Sequence, residues 1–296
     1  FGAVDAPTIA RKVQKDPVPY LGGVAIAIGV VAASYGSLLA VDFSITTFKL
    51  ASFVLVPAIA ISAMGLWDDL KGLAPWPRLV AQTFTGILVA VILTVTDTMG
   101  FAFNNQVINY FVTVLWIVGV TNSINFFDNL DGGAAGTVAV SSLGIAAIAL
   151  GEGQELIAAL SIVTAGSTLG FLMWNKSPAK IYMGDAGALF LGVIVSVLTI
   201  RLNPGITPQW SSIALLPMLL AVPILDTCVA VFSRLKRGIS PFTGGKDHLS
   251  HRLMRKGLSK RRTAFTLWAM QGFFVGCALT VYTWTASIGT PVIAAT

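Results

Sequence analysis

The stretch Asn122-Ser123-Ile124-Asn125-Phe126-Phe127-Asp128-Asn129-Leu130-Asp131-Gly132-Gly133 closes an apolar run at 107–126. About 20 mostly apolar residues span a bilayer as a helix. The polar groups at 122, 125, 128 and 131 recur every three residues, which strings them along one slowly drifting stripe of such a helix. Polar side chains at that depth are costly in lipid and point to function. The stretch therefore predicts a membrane helix with amides in its last turns and carboxylates at its mouth. Asn122 alone also reads as an interhelical hydrogen bond; the four positions together read as one wall of a polar cleft.

Eight more apolar runs surround it, at 21–41, 48–67, 77–96, 133–150, 154–174, 186–202, 210–233 and 264–288. With 107–126 they make nine spans and predict an all-α, polytopic transmembrane helix bundle, a single domain over 1–296. Composition agrees, because 55% of the 296 residues are apolar and only 11% charged, against about 25% charged in soluble chains. Disorder is excluded by the same figures. Cys228 and Cys277 both fall in apolar runs and offer neither a disulfide framework nor metal-ligand spacing. Nine spans put the two ends on opposite faces, so a tenth helix upstream of Phe1 is expected.

The loops alternate in charge. The N-terminal stretch with 68–78, 127–132, 175–185 and 234–263 holds 17 of the 19 Lys and Arg residues, leaving only Lys49 and Arg201 opposite. By the positive-inside rule this set faces the cytoplasm. The net charge of +6 is then accounted for by topology, and no nucleic-acid partner is expected. The basic loop 234–263 reads either as topology with lipid headgroup contact or, with its two histidines, as an anion clamp.

Eight of the 13 acidic residues share that face, and several sit at helix ends. Asp68 and Asp69 follow span 48–67 directly; adjacent carboxylates at a helix C-terminus oppose the macrodipole and repel each other. They want a cation between them, which is either Lys71 or a magnesium ion. In Lys180-Ile181-Tyr182-Met183-Gly184-Asp185, Asp185 stands where an N-cap belongs, yet a glycine-flanked helix start also cradles phosphate, with Lys180 adding a point charge. His248-Leu249-Ser250-His251-Arg252 holds both histidines of the protein; with Lys246 and Arg252 the better reading is a polydentate anion clamp. Asp226, about 12 Å below the loop inside its span, needs a partner or a proton and is read as structural.

These four motifs, in this order, resemble the polyprenyl-phosphate N-acetylhexosamine-1-phosphate transferases over nearly the whole chain, from Asp5-Ala6-Pro7 and Pro17–Gly23 onward. Asp68-Asp69-Leu70-Lys71 resembles the family's paired-aspartate motif, Asn122–Gly132 its amide-and-aspartate motif, and Met183-Gly184-Asp185 the element that supplies its magnesium-binding aspartate. The histidine loop looks like the branch using UDP-GlcNAc, although Ser250 stands where that motif has a histidine. The peptidoglycan branch, which transfers phospho-MurNAc-pentapeptide, carries three successive histidines there and is the alternative.

The resemblance implies transfer of GlcNAc 1-phosphate from a UDP-N-acetylhexosamine to undecaprenyl phosphate at the cytoplasmic face of a bacterial inner membrane, with release of UMP. It implies Mg²⁺, with Mn²⁺ as substitute, on Asp185. Asp68 takes a proton from the lipid phosphate, Asp69 positions the metal or Lys71, and Asp128 and Asp131 orient nucleotide or metal. Lys71, Asn122, Asn125, Lys180, His248, His251 and Arg252 hold substrate. A homodimer is left open. An intramembrane prenyltransferase would want two aspartate-rich motifs, whereas only Asp128-Asn129-Leu130-Asp131 comes near. A transporter would show internal repeats, and none is evident; a non-catalytic subunit would not need these aspartates intact.

Overall fold

The computed structural model describes residues 4–5, 18–40, 43–100, 102–206, 210–241 and 243–293. Its helices are α1 (Gly22–Ala40), α2 (Ile45–Lys71), α3 (Pro75–Val95), α4 (Gln106–Phe127), α5 (Gly133–Gly151), α6 (Glu155–Asn175), α7 (Gly184–Arg201), α8 (Trp210–Leu219), α9 (Ala221–Lys236), α10 (Leu249–Arg255) and α11 (Lys260–Ile293). A two-residue antiparallel ladder pairs β1 (Val4–Asp5) with β2 (Val18–Pro19). Ala6, Pro7 and Pro17 of the motif read above lie outside the described residues, as do Arg11, Lys12 and Lys15.

Eight of the helices are long and apolar enough to cross a membrane, and the protein is a multi-pass membrane protein. The span predicted over 210–233 is not one helix. It is α8 and α9, bent by 74°. Proline lacks an N–H and orphans the carbonyl four residues back, so Pro223 deprives the Leu219 carbonyl of its partner. Gln271 of α11, wholly buried, repairs the break: its Oε1 accepts from Val222 N at 2.9 Å, and its Nε2 donates to the Leu219 carbonyl at 2.9 Å and the Met218 carbonyl at 3.3 Å. In lipid, backbone groups freed at a break need such partners.

The bundle is organised around α7, buried from end to end and packed on α2 and α4, with α1 alongside. That centre needs small residues. A Cβ on Gly23 would lie 2.1 Å from Gly187 N, so the α1 and α7 backbones touch. The first turn of α1 is pinned to the segment entering α7: Gly22 N donates to the Tyr182 carbonyl at 3.1 Å and Gly23 N to the Met183 carbonyl at 2.9 Å. Large apolar side chains such as Phe84, Phe111 and Phe273 point outward, as a lipid-facing surface requires.

Candidate active site

The C-terminus of α2 sets the site. Gly72 (φ 69°) stops the helix in the left-handed conformation, and its N–H donates to the Asp68 carbonyl at 2.7 Å. Asp68, buried, accepts from Leu73 N at 2.5 Å through Oδ1 and from Arg78 Nη1 at 2.8 Å through Oδ2. The same Nη1 donates to Asp185 Oδ2 at 2.9 Å. Arg78 is thus the cation between the carboxylates. Lys71, one of the two cations offered from the sequence for Asp68 and Asp69, is exposed and makes no hydrogen bond or ion pair with a described residue. The signal for Arg78 was available: it sits in the first turn of α3, where the macrodipole disfavours a cation lacking a carboxylate partner.

Asp69 turns the other way and accepts from Asp185 N at 2.9 Å and Ala186 N at 3.0 Å. A carboxylate at the C-terminus of α2 therefore caps the N-terminus of α7, which explains how two acids are tolerated at an end that repels them. Asp185 is not the cap, as its position in the sequence suggested; Asp69 does that work and leaves the Asp185 side chain facing Arg78 and Asn125, whose Nδ2 donates to Asp185 Oδ1 at 2.6 Å. Gly184 has φ 68°, and a Cβ there would lie 2.6 Å from Asp69 Oδ2, so the Met-Gly-Asp turn needs its glycine on both counts.

Asp128 ends α4 and Asp131 lies in the next turn, before Gly132 starts α5. Burial, then the charges of Asp185, Asp69 and Asp131, push the Asp128 carboxyl up to about 7. Asp131 meets Lys260 of α11 at 3.4 Å. All five predicted carboxylates are thus brought to one end of the bundle. Among the described residues no three His, Cys, Asp or Glu side chains are placed to enclose a metal ion.

Two predicted substrate contacts lie elsewhere. Asn122 donates to Gln82 Oε1 at 2.5 Å and the Val118 carbonyl at 2.8 Å, joining α4 to α3. Lys180 lies over the Trp174 ring at 5.5 Å, at the rim of a lateral apolar cavity of about 590 Å³, and not among the carboxylates.

The histidine loop is anchored from α9. His248 is buried between Asp226, whose Oδ2 lies 2.7 Å from Nδ1, and Arg234, whose Nη2 lies 3.1 Å from Nε2. Both ring nitrogens of His248 are therefore occupied, unlike those of a substrate contact. Asp226 Oδ1 also accepts from Leu249 N at 2.6 Å, which supplies the partner its depth demanded. Ser250 donates to Asn129 Oδ1 and ties α10 to the turn holding Asp128 and Asp131. His251 is half-buried; burial chiefly, with His248, Lys246 and Arg255, holds its imidazole below the ordinary value against the pull of Asp226. Arg252 is exposed, its Nε donating to the Asp247 carbonyl at 3.0 Å. Sequence reasoning missed Arg234, whose burial at the end of an amphipathic helix has no local signal.

Residues 50–203 match the family model described as glycosyl transferase family 4. The chain is 36% identical over 280 residues (93% of this chain, 76% of the relative) to a probable undecaprenyl-phosphate N-acetylglucosaminyl 1-phosphate transferase of Bacillus subtilis. It is 31% identical over 313 residues (95% and 76%) to a decaprenyl-phosphate N-acetylglucosaminephosphotransferase of Mycolicibacterium smegmatis. Over 276 residues (90% and 72%) it is 28% identical to an undecaprenyl-phosphate alpha-N-acetylglucosaminyl 1-phosphate transferase of Escherichia coli K12. Matched over more than half its length, carrying the motifs in order and gathering their carboxylates at one membrane end, the chain belongs to glycosyl transferase family 4, among the polyprenyl-phosphate hexosamine-1-phosphate transferases.

Proposed function

We infer that this protein transfers GlcNAc 1-phosphate from UDP-GlcNAc to a polyprenyl phosphate, releasing UMP, with its carboxylate end at the cytoplasmic face of a bacterial inner membrane. The observation that carries the reading is the meeting of Asp68, Asp69 and Asp185 around Arg78, with Asp128 and Asp131 beside them, at the mouth of a lipid-embedded bundle. An isoprenoid tail stays in lipid, so its phosphate meets a soluble nucleotide only at such a mouth. Names of relatives support the sugar and the acceptor. The 17 basic residues on that side support the orientation.

Phosphate attacking phosphate is slowed by repulsion, so catalysis here is alignment and neutralisation. The second pKa of a phosphate monoester is about 6, so the lipid phosphate arrives largely ionised and needs only a weak base. Asp68, given that task from the sequence, accepts from Leu73 N and from Arg78, which ties it to the start of α3. Asp128, at the end of α4 beside Asp185 and Asp131, is the carboxylate we assign to accept that proton. Arg78 is placed to exchange a carboxylate for a phosphate oxygen, and His251 and Arg252 are the further anion contacts we assign to the loop.

The donor set fits Mg²⁺: hard oxygens in excess of positive charge, too few for a closed cage, which suits an ion that takes one or two carboxylates and completes its shell from a diphosphate. Asp185 would hold the ion, and bound Mg²⁺ would supply charge neutralisation at the diphosphate.

The test is an exchange assay with the purified chain, undecaprenyl phosphate, Mg²⁺ and radiolabelled UDP-GlcNAc. UMP and a lipid-diphosphate-sugar should form together. A folded protein that releases no UMP would overturn the reading, and faster turnover of UDP-MurNAc-pentapeptide in the same assay would move it to the peptidoglycan branch.

A further inference from the structure

We propose that Asp226 and Arg234 are positioning residues for the transfer inferred above: they clamp His248 in one hydrogen-bonding state and seat the 248–255 segment on α4, leaving His251 and Arg252 as the loop's contacts to the donor diphosphate. The proposal rests on that transfer and adds which histidine meets the substrate.

Asp226, Ala230 and Arg234 recur every four residues on the buried face of α9. A guanidinium can only donate, so His248 Nε2 accepts from Arg234 Nη2, and Nδ1 must carry the hydrogen given to Asp226 Oδ2. The ring has no nitrogen left for a substrate. Arg234 also donates to the Pro241 carbonyl at 2.6 Å and to Asp247 Oδ2 at 3.2 Å, so one guanidinium gathers both ends of the 241–248 loop. The clamp is seated on Phe126: the His248 ring meets it edge-on at 6.5 Å, and the Arg234 guanidinium lies 5.7 Å from its centroid. Phe126 follows Asn125, which holds Asp185, and the bond from Ser250 to Asn129 fixes the next turn. Two contacts from the loop and one from α9 thus join the clamp to the α4 end that carries Asp128. His251, the neighbouring ring at 6.3 Å, makes no hydrogen bond to a described residue.

Asp226→Asn tests the clamp. Its amide offers one acceptor where two donors, Leu249 N and His248 Nδ1, now end. Flipping the imidazole tautomer does not help, because Nε2–H would then face the donating Arg234. In the exchange assay we expect the variant to raise KM for UDP-GlcNAc about tenfold with kcat within about threefold, as lost ground-state positioning does. His248→Asn, which keeps a donor toward Asp226, should stay within about tenfold of the parent kcat/KM with an unshifted pH profile, whereas His251→Asn should lose about 100-fold.

A fall in kcat alone for Asp226→Asn would mean only a smaller folded fraction and would overturn the positioning role. His248→Asn losing as much as His251→Asn, or losing one limb of the pH profile, would make His248 itself the contact. If Asp226→Asn does not fold, Arg234→Lys replaces it and should raise the same KM, since one ammonium cannot hold Asp247, Pro241 and His248 together. Hydrogen exchange separates the clamp from the transfer reading. Even with a parent chain inactive toward UDP-GlcNAc, Asp226→Asn should lose protection over 246–255 and keep it in α2 and α7; unchanged protection over 246–255 sinks the clamp.

Discussion

Two clusters of charge sit at the same end of this bundle and are built in opposite ways. Around Arg234 each charge is matched: Asp226 takes hydrogens from His248 and Leu249, and Asp247 is shared by Arg234 and Arg237. Although burial works to raise the Asp247 carboxyl, hydrogen bonds from Arg234 and the charge of Arg237 hold it below its ordinary value. Around Arg78, by contrast, Asp68 and Asp185 share one guanidinium nitrogen, Asp69 relies on backbone N–H groups, and Asp128 is driven up to about 7 by its neighbours. A balanced cluster is scaffolding. An unbalanced one is a place that is relieved when a cation or a bound ligand arrives.

The largest test of that contrast is Asp185→Asn. It should cut turnover about 1,000-fold, the order seen when a group that stabilises transition-state charge is removed, while thermal unfolding in detergent shows no loss of stability, because one like charge is gone from the cluster. Arg234→Ala should do the reverse in stability, since removing one partner of a buried pair costs about 3–5 kcal/mol; an unfolding midpoint equal to the parent's would erase the distinction between the clusters. The third test is pH. With the native Asp128 near 7 and the unfolded value at 3.8, the folded state binds the extra proton between those limits. Stability in EDTA should therefore fall as pH rises from about 4 to about 7 and level off above. Asp128→Asn should flatten that fall, and added Mg²⁺ should reduce it; a midpoint independent of pH would break the argument. The smallest effect is expected for Asn122→Ala: about 1 kcal/mol of stability from a lost interhelical hydrogen bond, with KM for UDP-GlcNAc unchanged.

The spans were legible because lipid imposes a length and a composition that few sequences meet by accident: six of the nine ran within about three residues of single helices, α2 and α11 reached further, and 210–233 was found as the bent pair α8 and α9. The acid clusters were legible for a related reason: paired carboxylates at a helix end need an explanation wherever they occur. Which partner each one meets was not. Asp69 capping α7 and Arg78 bridging Asp68 to Asp185 join residues 107 to 117 positions apart, whereas a local reading looked to Asp185 itself for the cap and to Lys71 or a magnesium ion for a cation between Asp68 and Asp69. The partners of His248 were hidden in the same way. A histidine beside a lysine and an arginine looks like an anion ligand until the aspartate one helix earlier is seen to accept its hydrogen bond.

Gln271 shows the same remoteness at the level of the backbone. One side-chain amide, with its single acceptor and two hydrogens, makes an elbow of what composition alone reads as a rod, and it does so from about fifty residues downstream. Exchanging it for glutamate would keep the shape and lose the donors, so the Met218 and Leu219 carbonyls would draw water into mid-membrane at the break that Pro223 makes. That re-aims the arm that carries Asp226 and Arg234. The reach of the histidine segment toward its substrate is therefore set partly by an uncharged residue that touches neither.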